Sequence, residues 1–261
     1  MVIIKNMIGI FDSGLGGLTV LKEIRKVLPT NDLMYFGDTA HVPYGNRSDE
    51  VIFQLTQKAV EFLFSQGAEY VVVACNTASA RALPKLLDKY KNISGVIEPV
   101  VNFLIKKDFD KIGVIGTRAT INSNVYKNKI LEIKPEIEVT SVATPLLVPL
   151  VEENWIEKVE TEAILLDYLK VLRLKQVQAL ILGCTHYPML LVKIRNIMGQ
   201  NCFVPNPAEI VAQDLINNKK IQDLSSGNGN VRYSVSDLTD NFQQIATEFL
   251  DEKVILELVK L

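Results

Sequence analysis

Short aliphatic runs along this chain alternate with longer segments in which apolar residues recur every three or four positions. That is the pattern of strands alternating with amphipathic helices. Met7 to Phe11, Leu33 to Phe36, Tyr70 to Ala74, Lys111 to Ile115, Glu138 to Val142, Leu180 to Gly183 and Val231 to Val235 read as strands, with a short one at Cys202 to Pro205. Between them the spacing predicts a helix ending near Pro29, with Leu18, Leu21, Ile24, Val27 and Leu28 on one face. Further helices are expected over Ser48 to Gln66, Ala78 to Tyr90, Val100 to Lys106, Glu157 to Leu172 and Leu190 to Met198, then after Pro207 and from Asp240 onward. Such an alternation predicts an α/β fold with mainly parallel sheets flanked by helices.

The pattern also runs twice. Tyr70-Val-Val-Val-Ala-Cys-Asn-Thr-Ala-Ser79 and Leu180-Ile-Leu-Gly-Cys-Thr-His-Tyr-Pro-Met189 each end an apolar run in a small residue, a cysteine and polar neighbours, and Cys75 and Cys184 lie 109 residues apart. Ile8-Gly-Ile-Phe-Asp-Ser-Gly14 resembles Ile112-Gly-Val-Ile-Gly-Thr-Arg118 at an offset of 104, and the run from Asp32 can be laid on the run from Glu136 at the same offset. Glu98-Pro99 sits opposite Asn206-Pro207, 108 residues on. A duplication predicts two similar domains, residues 1–98 plus 208–261 and residues 99–207, related by pseudo-two-fold symmetry around a cleft. The elements after Asn206-Pro207 have no counterpart in the other half and are expected to return to the first domain.

Composition narrows the classes. At 261 residues and 48% apolar, the chain can build two ordinary cores. Its 28 basic and 30 acidic side chains leave a net charge of −2, which argues against a nucleic-acid or membrane surface. No apolar run approaches the roughly 18 residues of a membrane span. The opening Met1-Val-Ile-Ile-Lys5 lacks the features of a secretory signal, and three cysteines are an odd number for a disulfide framework. A cytoplasmic protein is therefore expected.

By itself Cys184 reads as a small core residue. Its recurrence at Cys75 points elsewhere. A thiol protease needs one thiolate with a histidine base and an oxyanion site, and only His41 and His186 are available. No C-x-x-C or H-E-x-x-H spacing suggests a metal. Two thiols on strand ends facing each other across a cleft suit inversion of a stereocentre, one removing the α-proton while the other delivers a proton to the opposite face. Such a base works best with a pKa near the operating pH, and Asp12, Glu152 and His186 are candidates to tune it. Cys202 begins its element instead of ending it, so it is expected away from the cleft with a raised pKa. The loop Asp12-Ser-Gly-Leu-Gly-Gly17 lacks the dinucleotide G-x-G-x-x-G spacing and reads as a tight strand-to-helix turn whose free N–H groups face the cleft. Gly37-Asp-Thr-Ala-His-Val-Pro-Tyr-Gly45 reads equally as a site loop or as a surface turn.

Four motifs, Asp12-Ser-Gly-Leu-Gly-Gly-Leu18, Gly37 to Gly45, Ala74-Cys-Asn-Thr-Ala-Ser79 and Gly183-Cys-Thr-His-Tyr-Pro188, together resemble the glutamate racemases of the aspartate/glutamate racemase superfamily. The resemblance covers nearly the whole chain. It implies a cofactor-independent isomerase acting on glutamate and supplying D-glutamate for peptidoglycan, and so serving cell wall biogenesis and cell shape. It implies that Cys75 and Cys184 are the acid/base thiols, that Asp12 and His186 assist them, and that Glu152 of Leu150-Val-Glu152 is a third helper, with Glu153 a competing match. Substrate contacts carry over to Asp12, Ser13, Tyr44, Gly45, Asn76, Thr77, Thr185 and His186. No cofactor, metal, nucleic acid or membrane partner is implied, and a homodimer is left open.

Where relatives often carry an aspartate, this chain has Asn206 before Pro207, which leaves that corner without an assigned role. The four motifs contain no lysine or arginine, so substrate carboxylates are expected on Ser, Thr and Asn side chains and on N–H groups at helix starts. Two other classes stay open. A thiol-using relative, such as an aspartate racemase, decarboxylase or isomerase, would share the fold and one or both cysteines. A two-domain solute-binding module would explain the duplication but not the paired thiols.

Overall fold

The computed structural model describes residues 6–261; the opening Met1 to Lys5, read above for the absence of a secretory signal, lies outside the described residues. In chain order the elements are β1 (Met7–Asp12), α1 (Gly17–Val27), β2 (Asp32–Gly37), α2 (Asp49–Ser65), β3 (Ala68–Val73), α3 (Asn76–Arg81), α4 (Leu83–Lys89), β4 (Ile93–Gly95) and α5 (Ile97–Leu104). There follow β5 (Lys111–Gly116), α6 (Arg118–Asn122), α7 (Val125–Ile133), β6 (Glu138–Ala143), α8 (Leu147–Glu152), α9 (Val159–Leu174), β7 (Ala179–Gly183) and α10 (Leu191–Met198). The last are α11 (Pro207–Ile216), α12 (Lys219–Gln222), β8 (Val231–Val235), α13 (Asp240–Leu250) and β9 (Leu256–Leu258). The fold is α/β, with two parallel sheets of order β4-β3-β1-β2-β8-β9 and β6-β5-β7, flanked by helices.

The sheets carry the repeat in their topology. β1 lies between β2 and β3 as β5 lies between β6 and β7, every pair parallel. Register corrects one alignment. Met7 pairs with Asp32 and Lys111 with Glu138, so Asp32 corresponds to Glu138, two residues beyond the Glu136 expected from sequence. A slip of two keeps every side chain on its own face, which is why the hydrophobic pattern alone did not expose it. After β7 the chain returns to the first sheet, where β8 pairs with β2 and β9 with β8.

Helix boundaries differ where backbone chemistry intervenes. The helix expected over Ala78 to Tyr90 breaks at Ala82, because Pro84 has no N–H to give to the preceding turn. Glu98-Pro99 lies inside the first turn of α5, which starts earlier than the Val100 expected from sequence, and the strand before it ends at Gly95. Asn206 caps α11 by accepting the Ala208 N–H at 3.1 Å, with Pro207 at the first helical position, which gives that corner a structural role. Cys202 to Pro205 reduces to one bridge, Ala179 to Phe203.

Alternation along β1 divides the apolar interior. Ile8 and Ile10 join a core that also contains Ile112, Val114 and Leu182 of the second sheet, while Met7 and Phe11 face the opposite way onto Ile52, Val60 and Leu63 of α2. The first core is continuous across both sheets. Unfolding is therefore expected as one transition: fluorescence of the single tryptophan, Trp155, in the second half, and far-ultraviolet circular dichroism of the whole chain should give coincident urea midpoints. Two separated midpoints would show that the halves are independent.

Candidate active site

Strand ends bring the chemistry together. β1 delivers Asp12 and Ser13, β3 delivers Cys75 and then Asn76 and Thr77 at the start of α3, and β7 delivers Cys184, Thr185 and His186. One small cavity is lined by Ser13, Tyr44, Gly45, Cys75, Asn76, Thr77, Cys184, Thr185 and His186, together with Pro43, Thr117 and Val148. Both thiols border it. Its free space, about 10 Å³ for the centre of a water, suits a single water molecule and not an amino acid. A groove of about 890 Å³ runs elsewhere, past Cys202, Arg195 and Phe203, and contains none of the expected site residues.

Thr117 was not anticipated, yet the repeat pointed to it. It stands 104 residues after Ser13, at the equivalent strand end, and meets Thr77 Oγ1 at 2.9 Å. The Gly37 to Gly45 loop divides. Pro43 to Gly45 face the cavity, while His41 stays outside against Asp38 at 2.8 Å. The Tyr44 hydroxyl donates to Asp38 Oδ2 at 2.6 Å, so it is turned away from the cavity that its residue lines. No lysine or arginine lines this cavity among the described residues.

Asp12 and Glu152 act from behind the wall. Asp12 is fully buried, with Oδ1 accepting the Gly14 N–H at 2.9 Å and Oδ2 accepting the Thr185 hydroxyl at 2.9 Å. Glu152 ends α8, and its Oε1 accepts from His186 Nε2 at 2.5 Å and from the Leu15 N–H at 3.2 Å. Glu153 is exposed and takes no part. Glycine is required where the halves touch: a Cβ on Gly16 would stand 2.5 Å from both His186 Nδ1 and Thr185 Oγ1, and one on Gly45 would stand 2.5 Å from Thr117 Cβ.

The two thiols differ in their electrostatics. Burial, and then the charge of Asp12, push Cys75 up to about 12, and the Ser13 hydroxyl 3.5 Å away opposes this only in part. The tuning toward operating pH expected from sequence is thus absent at Cys75, because the closed site removes the water that would solvate a thiolate. Cys184 Sγ lies 3.7 Å from His186 Nδ1. Burial disfavours a charged imidazole, but hydrogen bonds to Cys184 and Glu152 overcome it and raise His186 well above its ordinary value. Burial likewise opposes ionisation of Glu152, and the bond and charge of His186 bring it below the usual carboxylate range. The pair is an imidazolium and a carboxylate. Cys202 sits beyond the cleft, and burial raises it to about 11.

Two parallel sheets of an α/β fold thus converge their strand ends on one small pocket bordered by two thiols. Residues 18–213 match the model of the Asp/Glu/Hydantoin racemase family, and the chain belongs to that family. It is 42% identical over 252 residues to a glutamate racemase of Geobacter metallireducens, covering 95% of this chain and 93% of the relative. Among solved structures, a glutamate racemase isoform from Bacillus anthracis superposes with a TM-score of 0.93 at 34% identity, covering 98% of each chain. A Francisella tularensis glutamate racemase in complex with D-glutamate superposes at 0.88, with 34% identity and 98% coverage of each chain.

Burial, opposed by the charge of His186, raises Asp12 from 3.8 to about 6. The unfolded chain gives up this proton first, so the group's contribution to stability is fully present below pH 3.8 and is lost as pH rises through about 6. Asp12→Asn removes the ionisation. Relative to the wild type, the variant should gain about 3 kcal/mol between pH 3 and pH 8, read from urea unfolding at each pH. A wild-type-minus-variant difference that does not change with pH would contradict the buried, raised carboxyl.

Proposed function

We propose that this enzyme interconverts L- and D-glutamate through its two thiols, without a cofactor. The observation that carries this reading is that Cys75 and Cys184 border one small cavity whose wall also includes the hydroxyls of Ser13, Thr77, Thr117 and Thr185 and the amide of Asn76. Hydroxyls and amides suit two carboxylates and an ammonium, and the family and the names of its similar members favour glutamate.

The chemistry divides between the walls. A thiolate at one sulfur takes the Cα proton; the electron pair is held at Cα and the adjoining carboxylate; the thiol at the other sulfur then gives its proton to the opposite face. The enzyme ends with its proton on the other cysteine, and reversal restores it. Cys75, held as a thiol, suits the donor in the resting state. Cys184, beside the His186 imidazolium, suits the acceptor. Asp12 and Glu152 hold Thr185 and His186 in place, and Glu152 keeps the imidazolium charged.

The same reading supplies D-glutamate to peptidoglycan and places the enzyme in the cytoplasm, where free Cys75, Cys184 and Cys202 stay reduced. It also divides the chain into domains at residues 98/99 and 207/208, boundaries that fall in the first turns of α5 and α11, so those two helices join the sheets.

Purified protein, dialysed against chelator and treated with hydroxylamine, should racemise L-glutamate in heavy water, with optical rotation falling to zero and the α-proton signal lost. Cys75→Ala and Cys184→Ala should each lower turnover in both directions by about 10²–10⁴-fold, the usual share of one general acid or base. Exchange or racemisation of aspartate in place of glutamate, or activity dependent on pyridoxal phosphate, would contradict the proposal.

A further inference from the structure

Tyr126 was not among the residues singled out from sequence. It lies on α7 in the second half, 3% exposed, with its ring so close to β7 that a Cβ on Gly183 would stand 3.1 Å from Tyr126 Cε2. Its hydroxyl crosses to the first half and donates to Asn76 Oδ1 at 2.7 Å. Asn76 follows Cys75 directly and lines the cavity with Cys184. With the amide oxygen taken by the phenol, the amide's N–H donors are what Asn76 has left to offer a ligand.

We propose that Tyr126 is a positioning residue, which fixes the orientation of the Asn76 amide so that it presents N–H donors, and not its oxygen, to a carboxylate of the substrate. This inference rests on the reading of glutamate as substrate. An amide can rotate by half a turn at almost no steric cost, since its oxygen and nitrogen are nearly the same size. What distinguishes the two orientations is the partner. The phenol is buried and has one proton to place. In the observed orientation that proton meets Oδ1. In the rotated one the phenol oxygen can only accept from the NH₂ group, its own proton loses this partner, and the amide oxygen takes the place of the N–H donors. No lysine or arginine lines the cavity among the described residues, and the His186 imidazolium is already engaged by Glu152 and Cys184, so a carboxylate at Asn76 depends on neutral donors whose direction has to be set beforehand.

Tyr126→Phe keeps the ring and deletes the proton. Kinetics in both directions should show KM for L- and D-glutamate raised about tenfold, the worth of a charge-assisted hydrogen bond, with kcat within about twofold of wild type. In an Asn76→Ala background the same substitution should add nothing further, because the amide it orients is gone. A purely structural role would instead lower the melting temperature and act equally in both backgrounds.

Asn76→Asp provides a second test that leaves the phenol intact. Its carboxylate still accepts the Tyr126 proton but offers no donor, so KM should rise at least as far as in Asn76→Ala. Unchanged KM in Tyr126→Phe or Asn76→Asp, additive effects in the double variant, or a loss of kcat alone would each overturn the inference. A wild-type enzyme inert toward glutamate overturns the functional reading instead.

Discussion

The buried contact between His186 and Glu152 is the constraint on which the site depends. One carboxylate oxygen receives both the imidazolium of the second half and the Leu15 N–H at the entrance to α1, so a single atom ties the thiol loop after β7 to the glycine turn after β1. A charge buried as His186 is, against a half-buried Glu152, is costly unless paired and hydrogen-bonded. The pairing therefore holds the halves in register, and Gly16 lets them come close enough for it to form. The Asp12 to Thr185 bond and the Thr19 hydroxyl, which donates to Thr185 O at 2.9 Å, hold the same seam from the other side.

A symmetric scaffold here carries an asymmetric site. β1, β2 and β3 repeat as β5, β6 and β7, and the cysteines fall at equivalent strand ends. Their neighbours do not match: Asp12 and Ser13 attend Cys75, whereas His186 attends Cys184, backed by Glu152. Inversion needs one donor and one acceptor at any moment, and unlike surroundings favour that division over two identical groups. The repeated topology brings both thiols to one pocket, and the unlike loops around them supply the difference in neighbouring charge.

Much of the fold was legible because aliphatic runs ending in small residues are hard to build as anything but buried parallel strands. The paired Cys motifs were legible for the same reason. Thr117 lay within reach of the repeat and was passed over because its loop has no cysteine or acid. The break at Ala82 was announced by Pro84, while the correct register of β2 on β6 was hidden by a pattern that repeats every two residues. Tyr126 had no local signal at all: its partner is 50 residues away and on the other sheet. The raised pKa of Cys75 was equally out of reach, since it comes from burial in the folded site and then from the charge of Asp12, which a different strand brings alongside.

The smallness of the cavity has a further consequence. A pocket with room for one water cannot admit an amino acid without the walls parting, and once they close again the reacting centre is cut off from bulk solvent. In the proposed two-thiol reaction, a proton lifted from Cα would then wait on sulfur away from bulk solvent, and its exchange with the medium would be timed by the opening of the cleft and not by the acidity of the thiol alone. The proposed enzyme would leave each turnover in one of two protonation states and carry that record until the walls next part.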